Sequence, residues 1–175
     1  MRTVMVTIGG AGMLALAACS DDSATNAPPK AEKAATLAAG EYEVATKVED
    51  LRSTDHTTPL TKAKLTGPDG APTVQRACVA ADGTIAPEVF TEPGDTCKIN
   101  NSYARSGKIN MQIGCERAGA PGNVMHSIDG SFESESFTAT VNTGTYFTGS
   151  GDYAMRRSMT GKRVGVCPAS AEKKS

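Results

Sequence analysis

Thiols carry the plainest chemistry in this chain. There are five cysteines and only two histidines. Cys19 follows Leu16-Ala17-Ala18 directly, while Cys78, Cys97, Cys115 and Cys167 are spread over the remainder. Whether such thiols are bonded, free or modified depends on the redox compartment. Other chemistries have thinner support. His56 and His126 lie in different segments without a second ligand at a metal spacing, so both read as surface histidines. Met125, His126, Met155 and Met159 include thioethers that suit Cu(I), but methionine more often fills irregular core space. No Gly-x-Ser-x-Gly elbow is present, and a Ser/His/Asp hydrolase would depend on one of the two histidines. Glu133 and Glu135, two apart on one strand face, fit either paired glycosidase carboxylates or a solvated strand edge or turn. Gly149-Ser150-Gly151 is not followed by a helical pattern, so it makes no phosphate cradle. The cations Arg156, Arg157, Lys162 and Arg163 would face anionic lipid or polysaccharide, or simply form the wet side of two strands. The expectation is therefore of no catalytic residue, no metal ligand and no cofactor.

The compartment is set by the first 19 residues. Arg2 supplies a positive end, Val4, Val6, Ile8, Met13, Leu14 and Leu16 an apolar segment, and Ala17 and Ala18 small residues before a cut. A spanning helix needs about 20 apolar residues, and this run is shorter and interrupted by Gly9, Gly10 and Gly12. Leu16-Ala17-Ala18-Cys19 resembles the bacterial lipobox, in which the cysteine thiol receives a diacylglyceryl group. That resemblance implies a lipoprotein signal peptide at residues 1–18 and a lipid on Cys19, each acyl chain gaining about 0.8 kcal/mol per buried CH₂. Ser20, not an aspartate, follows the cysteine, which by analogy with enteric sorting favours the periplasmic leaflet of the outer membrane. Residues 19–39, with Asp21, Asp22, Asn26, Pro28 and Pro29 among small side chains, read as a flexible linker. An Ala-rich stretch at residues 30–39 is a marginal helix. Cleavage removes one basic residue, Arg2, leaving 17 basic against 19 acidic side chains, a balance without a nucleic-acid footprint.

The elements that would position these groups are strands. Tyr42, Val44, Thr46 and Val48 alternate with Glu41, Glu43, Ala45 and Lys47, a period of two. Residues 50–72 form a polar excursion, with one short strand near 62–65, and a second strand starts at Thr73 and carries Cys78. Residues 82–95 are mostly loop. Further strands are expected at 124–132, 136–141, 154–159 and 162–167, separated by turns at Asn142-Thr143-Gly144, Gly149-Ser150-Gly151 and Gly161. With no βαβ pattern, the reading is an all-β, mainly antiparallel domain over residues 40–168, a curved sheet, barrel or sandwich, with a disordered tail at 169–175. A chain with no Trp, four Tyr and four Phe has a thin core, which cross-links would support.

The stretch between Cys97 and Cys115 reads as a hairpin. A three-residue loop Arg105-Ser106-Gly107, with Gly107 left-handed, pairs Ala104 with Lys108. Counting outward sets Cys97 opposite Cys115, Ile99 opposite Ile113, Asn101 opposite Met111 and Tyr103 opposite Ile109. Opposed cysteines meet the short separation a disulfide needs, which leaves Cys78 to join Cys167.

Leu37-Ala38-Ala39-Gly40-Glu41-Tyr42-Glu43, Cys78, the pair Cys97 and Cys115, and the close Gly161-Lys162-Arg163-Val164-Gly165-Val166-Cys167 resemble the bacterial domain of unknown function 3617 family. The similarity covers about residues 37–167, with Ala39 where a proline is usual and Tyr42 where tryptophan is common. It implies a secreted or lipid-anchored envelope protein and carries over no catalytic residue. The functional expectation is a lipid-anchored, periplasm-facing module with a non-enzymatic binding or structural role, contacting the membrane through its lipid and an unidentified envelope protein or lipid. The alternatives are a barrel-like carrier of a small apolar or lipid ligand, and a hydrolase with a loop-built site.

Overall fold

The computed structural model describes residues 36–64, 67 and 71–168. The signal peptide, Cys19, most of the linker and the tail at 169–175 lie outside the described residues. Seven strands follow one another: β1 (Gly40–Ser53), β2 (Thr73–Val79), β3 (Asp95–Arg105), β4 (Lys108–Arg117), β5 (Ala120–Phe132), β6 (Ser136–Phe147) and β7 (Tyr153–Gly165). All pair antiparallel in one sheet of order β2-β1-β7-β6-β5-β4-β3. It is a single curled half-barrel, not a sandwich. Its edges are β2 and β3, and the connection between them carries a short 3₁₀ turn (Pro87–Val89).

Alternation decides which face is buried. Ile109, Met111, Ile113 and Cys115 of β4, Val124 and Ile128 of β5, and Phe137, Ala139 and Val141 of β6 point to one side, with Tyr42, Val44 and Met159. Ile85, Val89 and Phe90 of the β2–β3 connection join the same cluster, so this connection covers the inner face that an open sheet would leave wet. Phe90 meets Phe137 edge-on at 6.2 Å between centroids.

Several expected boundaries move. Ser136 starts β6, but the alternation runs through Val141, Thr143 and Thr145, so Asn142-Thr143-Gly144 is strand and not turn. The segments at 154–159 and 162–167 are one strand, β7, with Gly161 inside it. Gly161 pairs with Phe137, whose ring occupies the space a Cβ would need. Glycine here makes room for an aromatic ring and turns nothing. Lys62 to Lys64 form no strand, and Leu65 lies outside the described residues. The body also begins earlier than Gly40: Leu37 is buried, the Ala38 N–H donates to Ser134 O at 2.7 Å, and the Tyr42 hydroxyl donates to Ala38 O at 2.8 Å. Residues 36–39 are therefore neither linker nor helix.

The β3–β4 hairpin has Cys97 opposite Cys115 and Ile99 opposite Ile113, as counted. Nearer the turn the register differs. Arg105 pairs with Lys108 across a two-residue loop, Ser106-Gly107, with φ of 51° and 72°, the left-handed pair of a type I′ turn. A bulge between Ile99 and Asn101 restores the count, so Asn101 faces Gln112, Ser102 faces Met111, and Tyr103 faces Asn110. The shorter loop and the extra residue cancel at the cysteines.

Candidate functional site

Four of the five cysteines form two bonds. Cys97 bonds Cys115 with Cα atoms 4.1 Å apart, and Cys78 bonds Cys167 with Cα atoms 5.7 Å apart. The second bond ties edge strand β2 to the chain just after β7, past β1.

The other candidate groups do not converge. Met155 and Met159 are core, Met125 is exposed on the opposite face, and His56 is exposed. Glu133 and Glu135 are exposed in the β5–β6 turn, where Glu135 lies 3.6 Å from Arg163. No group of three His, Cys, Asp or Glu among the described residues is placed to hold a metal. Gly149-Ser150-Gly151 is the β6–β7 turn, and Asp55 latches onto it: its Oδ2 accepts the Gly151 N–H at 2.7 Å and the Asp152 N–H at 3.0 Å. Its other oxygen accepts the Thr57 N–H and hydroxyl, bonds that hold its carboxyl well below the usual range.

Two expected surface residues are instead buried. His126 is 1% exposed, because it belongs to the inward set of β5 between Val124 and Ile128. Its Nδ1 is 2.9 Å from the Thr143 hydroxyl, and its Nε2 has no partner. Burial, with a contribution from Arg157, pushes its pKa down to about 4. Arg157, 5% exposed, takes the inward position between Met155 and Met159, while Arg156 and Lys162 remain outside. Arg157 donates from one Nη to Phe90 O at 2.5 Å, and its Nε has no partner.

A buried ion network at the same end of the half-barrel was not expected from the sequence. Arg117, last residue of β4, makes a bidentate pair with Asp95, Nε to Oδ1 at 2.9 Å and Nη2 to Oδ2 at 2.6 Å. Nη2 also lies 3.1 Å from Glu92 Oε2, with both side chains 2% exposed or less. Its other Nη donates to the Tyr153 hydroxyl at 3.0 Å and to Leu60 O. Tyr153 in turn donates to Glu92, whose second oxygen accepts the N–H groups of Lys62 at 2.6 Å and Ala63 at 3.0 Å. Burial alone would raise the Glu92 carboxyl, but Tyr153, Arg117 and the Lys62 N–H together hold it below its ordinary value. Three strand ends and two connections meet on this network. Its members come from positions 60, 92, 95, 117 and 153, so no local pattern announces it.

Beside the network a cleft of about 380 Å³ opens between β2, β1 and residues 88–95. Thr46, Thr73, Gln75 and Thr91 give it polar walls, Val89 an apolar one, and the charged residues Lys64, Glu88, Glu92, Asp95 and Arg157 also line it.

Fold and site together define a disulfide-stapled antiparallel half-barrel, filled inside and fastened at one end by buried ion pairs. The chain belongs to the family described as protein of unknown function (DUF3617), whose model matches residues 37–167. That span starts at Leu37, the first buried residue among those described, and ends at the last bonded cysteine. No curated protein and no solved structure matches the chain.

Proposed function

We propose that this protein is a lipid-anchored binding module of the bacterial cell envelope, held through Cys19 to the periplasmic leaflet of the outer membrane, with a non-enzymatic role. The observation that carries this reading is the filled inner face: Val44, Ile113, Val124, Ile128, Val141 and Phe90 have essentially no exposure. A half-barrel so packed presents its surface and the cleft at its ion-paired end to a partner, and leaves no deep apolar interior for a carried lipid. The titratable groups at that end are held in structural bonds, His126 by Thr143 and Glu92 by Arg117 and Tyr153, which does not favour the hydrolase alternative. Two disulfides in a domain of this size fit an oxidising compartment.

The anchor is tested by expressing the full chain and Cys19→Ala with an alkyne-bearing palmitate. The wild type is expected to take up the label and to sediment with outer membranes on a sucrose gradient, and Cys19→Ala to do neither. Equal membrane recovery of the variant would overturn the lipid anchor.

A further inference from the structure

Arg157 is a buried cation without an ion pair. Among the described residues no carboxylate lies within 4.0 Å of it, since Glu92 and Asp95 are both taken by Arg117. Its hydrogen bonds reach one carbonyl, Phe90 O, and leave the Nε–H unused although the residue is 5% exposed. Such a group is costly to bury unless something supplies the missing acceptor. No strand partner does, because the neighbours across the ladder are Val141 and Val48. Arg157 lines the cleft, and although its Nε is itself enclosed, the residue is reached from that side.

The chemistry of the cleft restricts what fits. Two buried carboxylates, Glu92 and Asp95, and two buried guanidinium groups, Arg117 and Arg157, balance in charge. A dianion would meet repulsion from Glu88, Glu92 and Asp95 along the lining, which Arg157 and Lys64 offset poorly, and a neutral ligand would bring a weaker acceptor to a charged donor. Guanidinium and carboxylate match in shape as well as sign. Hydroxyls of Thr46, Thr73 and Thr91 and the Val89 side chain surround the space beyond. We propose that this cleft binds a small monocarboxylate, whose carboxylate accepts from the part of the Arg157 guanidinium that lines the cleft and whose uncharged body lies between Val89 and the threonines. This deepens the binding-module reading by naming the ligand class, and rests on it only in treating the ion-paired end as the binding surface.

The test is a titration of the ¹⁵N-labelled mature protein with acetate, butyrate and benzoate, following the Arg157 Nε–H resonance and the amides of Thr46 and Thr91. Acetamide, butyramide, benzamide and inorganic phosphate serve as neutral and dianionic counterparts. Saturable shifts are expected with the carboxylates, and affinities at least about tenfold weaker with the others, the difference a charge-assisted bond supplies. Arg157→Lys keeps the charge but loses the fork and is expected to weaken binding by a similar factor. Thr73→Trp places an indole in the cleft from a half-buried rim position and is expected to abolish the shifts even if Arg157→Lys does not fold. Equal response to the amides, persistence of the shifts in Thr73→Trp, or no saturable response would overturn the site. None of these outcomes bears on the lipid label at Cys19, so the site and the anchor fail separately.

Discussion

At the scale of single residues, the side chains most open to misreading are those whose partners are remote. His126 sits beside Met125 in the sequence and shares nothing with it: one faces in, the other out. Its neutral imidazole has a consequence for acid stability. An unfolded chain takes up the proton near the ordinary value of 6.5, whereas the folded protein resists it down to about 4. The unfolded state therefore binds more protons in that window, and stability is complete above 6.5 and falls as the pH drops toward 4. The slope reaches at most about 1.4 kcal/mol per pH unit. Glu92, whose carboxyl is depressed, adds its own loss only below its ordinary 4.5. Thermal melts between pH 7 and 4.5 should thus decline for the wild type and stay flatter for His126→Asn; parallel curves would show that His126 titrates normally in the fold. Little of the candidate site was legible beforehand for the same reason. Arg157 looks like one of four surface cations until Phe90, far back in the chain, supplies its acceptor. Glu92 reads as loop polarity until Arg117 and Tyr153 enclose it.

At the scale of elements, strands with a clear period of two were legible and their ends were not. Alternation from Tyr42 onward identified β1, and the cysteine hairpin identified β3 and β4. Glycine misled, because two quite different demands select it. Ser106-Gly107 needs left-handed backbone, while Gly161 needs only the absence of a Cβ under the Phe137 ring. The two uses predict different costs. Gly107, at φ 72°, should lose about 1–2 kcal/mol or more as Gly107→Val, because a β-branched residue is strongly disfavoured there. Chemical denaturation measures this directly, and an unchanged midpoint would remove the type I′ assignment. The hairpin also shows how a correct result can hide two errors. A loop one residue too long and an unforeseen bulge at Asn100 offset each other, and the side chain of Asn100 finds room over Gly114, which has none.

At the scale of the whole molecule, the two cross-links do different work. Cys97–Cys115 spans a sequence separation of 18 inside a hairpin that its own turn already closes, and Cys78–Cys167 spans 89. In the chain-entropy view these loops are worth roughly 3 and 4 to 5 kcal/mol, large beside a typical total of about 5 to 15 kcal/mol. Replacing Cys78 and Cys167 together by alanine should lower the melting temperature more than replacing Cys97 and Cys115, and the reverse order would show that the hairpin bond, not the long one, holds the sheet. The long bond matters because of where β1 lies. The first strand sits between β2 and β7, so it is bordered by the last strand of the chain. During synthesis β1 emerges with one side of its backbone unpaired, and that side has no native neighbour until residues 153–165 have been made. Over the same interval Cys78 finds Cys97 as the next thiol, while its own partner is the last cysteine to appear. The sheet therefore cannot be closed until the last strand joins β1 to β6. That closure is one late event, and a chain interrupted before β7 is left with an open sheet edge and with Cys78 lacking its native partner, a substrate for proteases and isomerases and not a smaller working version of the domain.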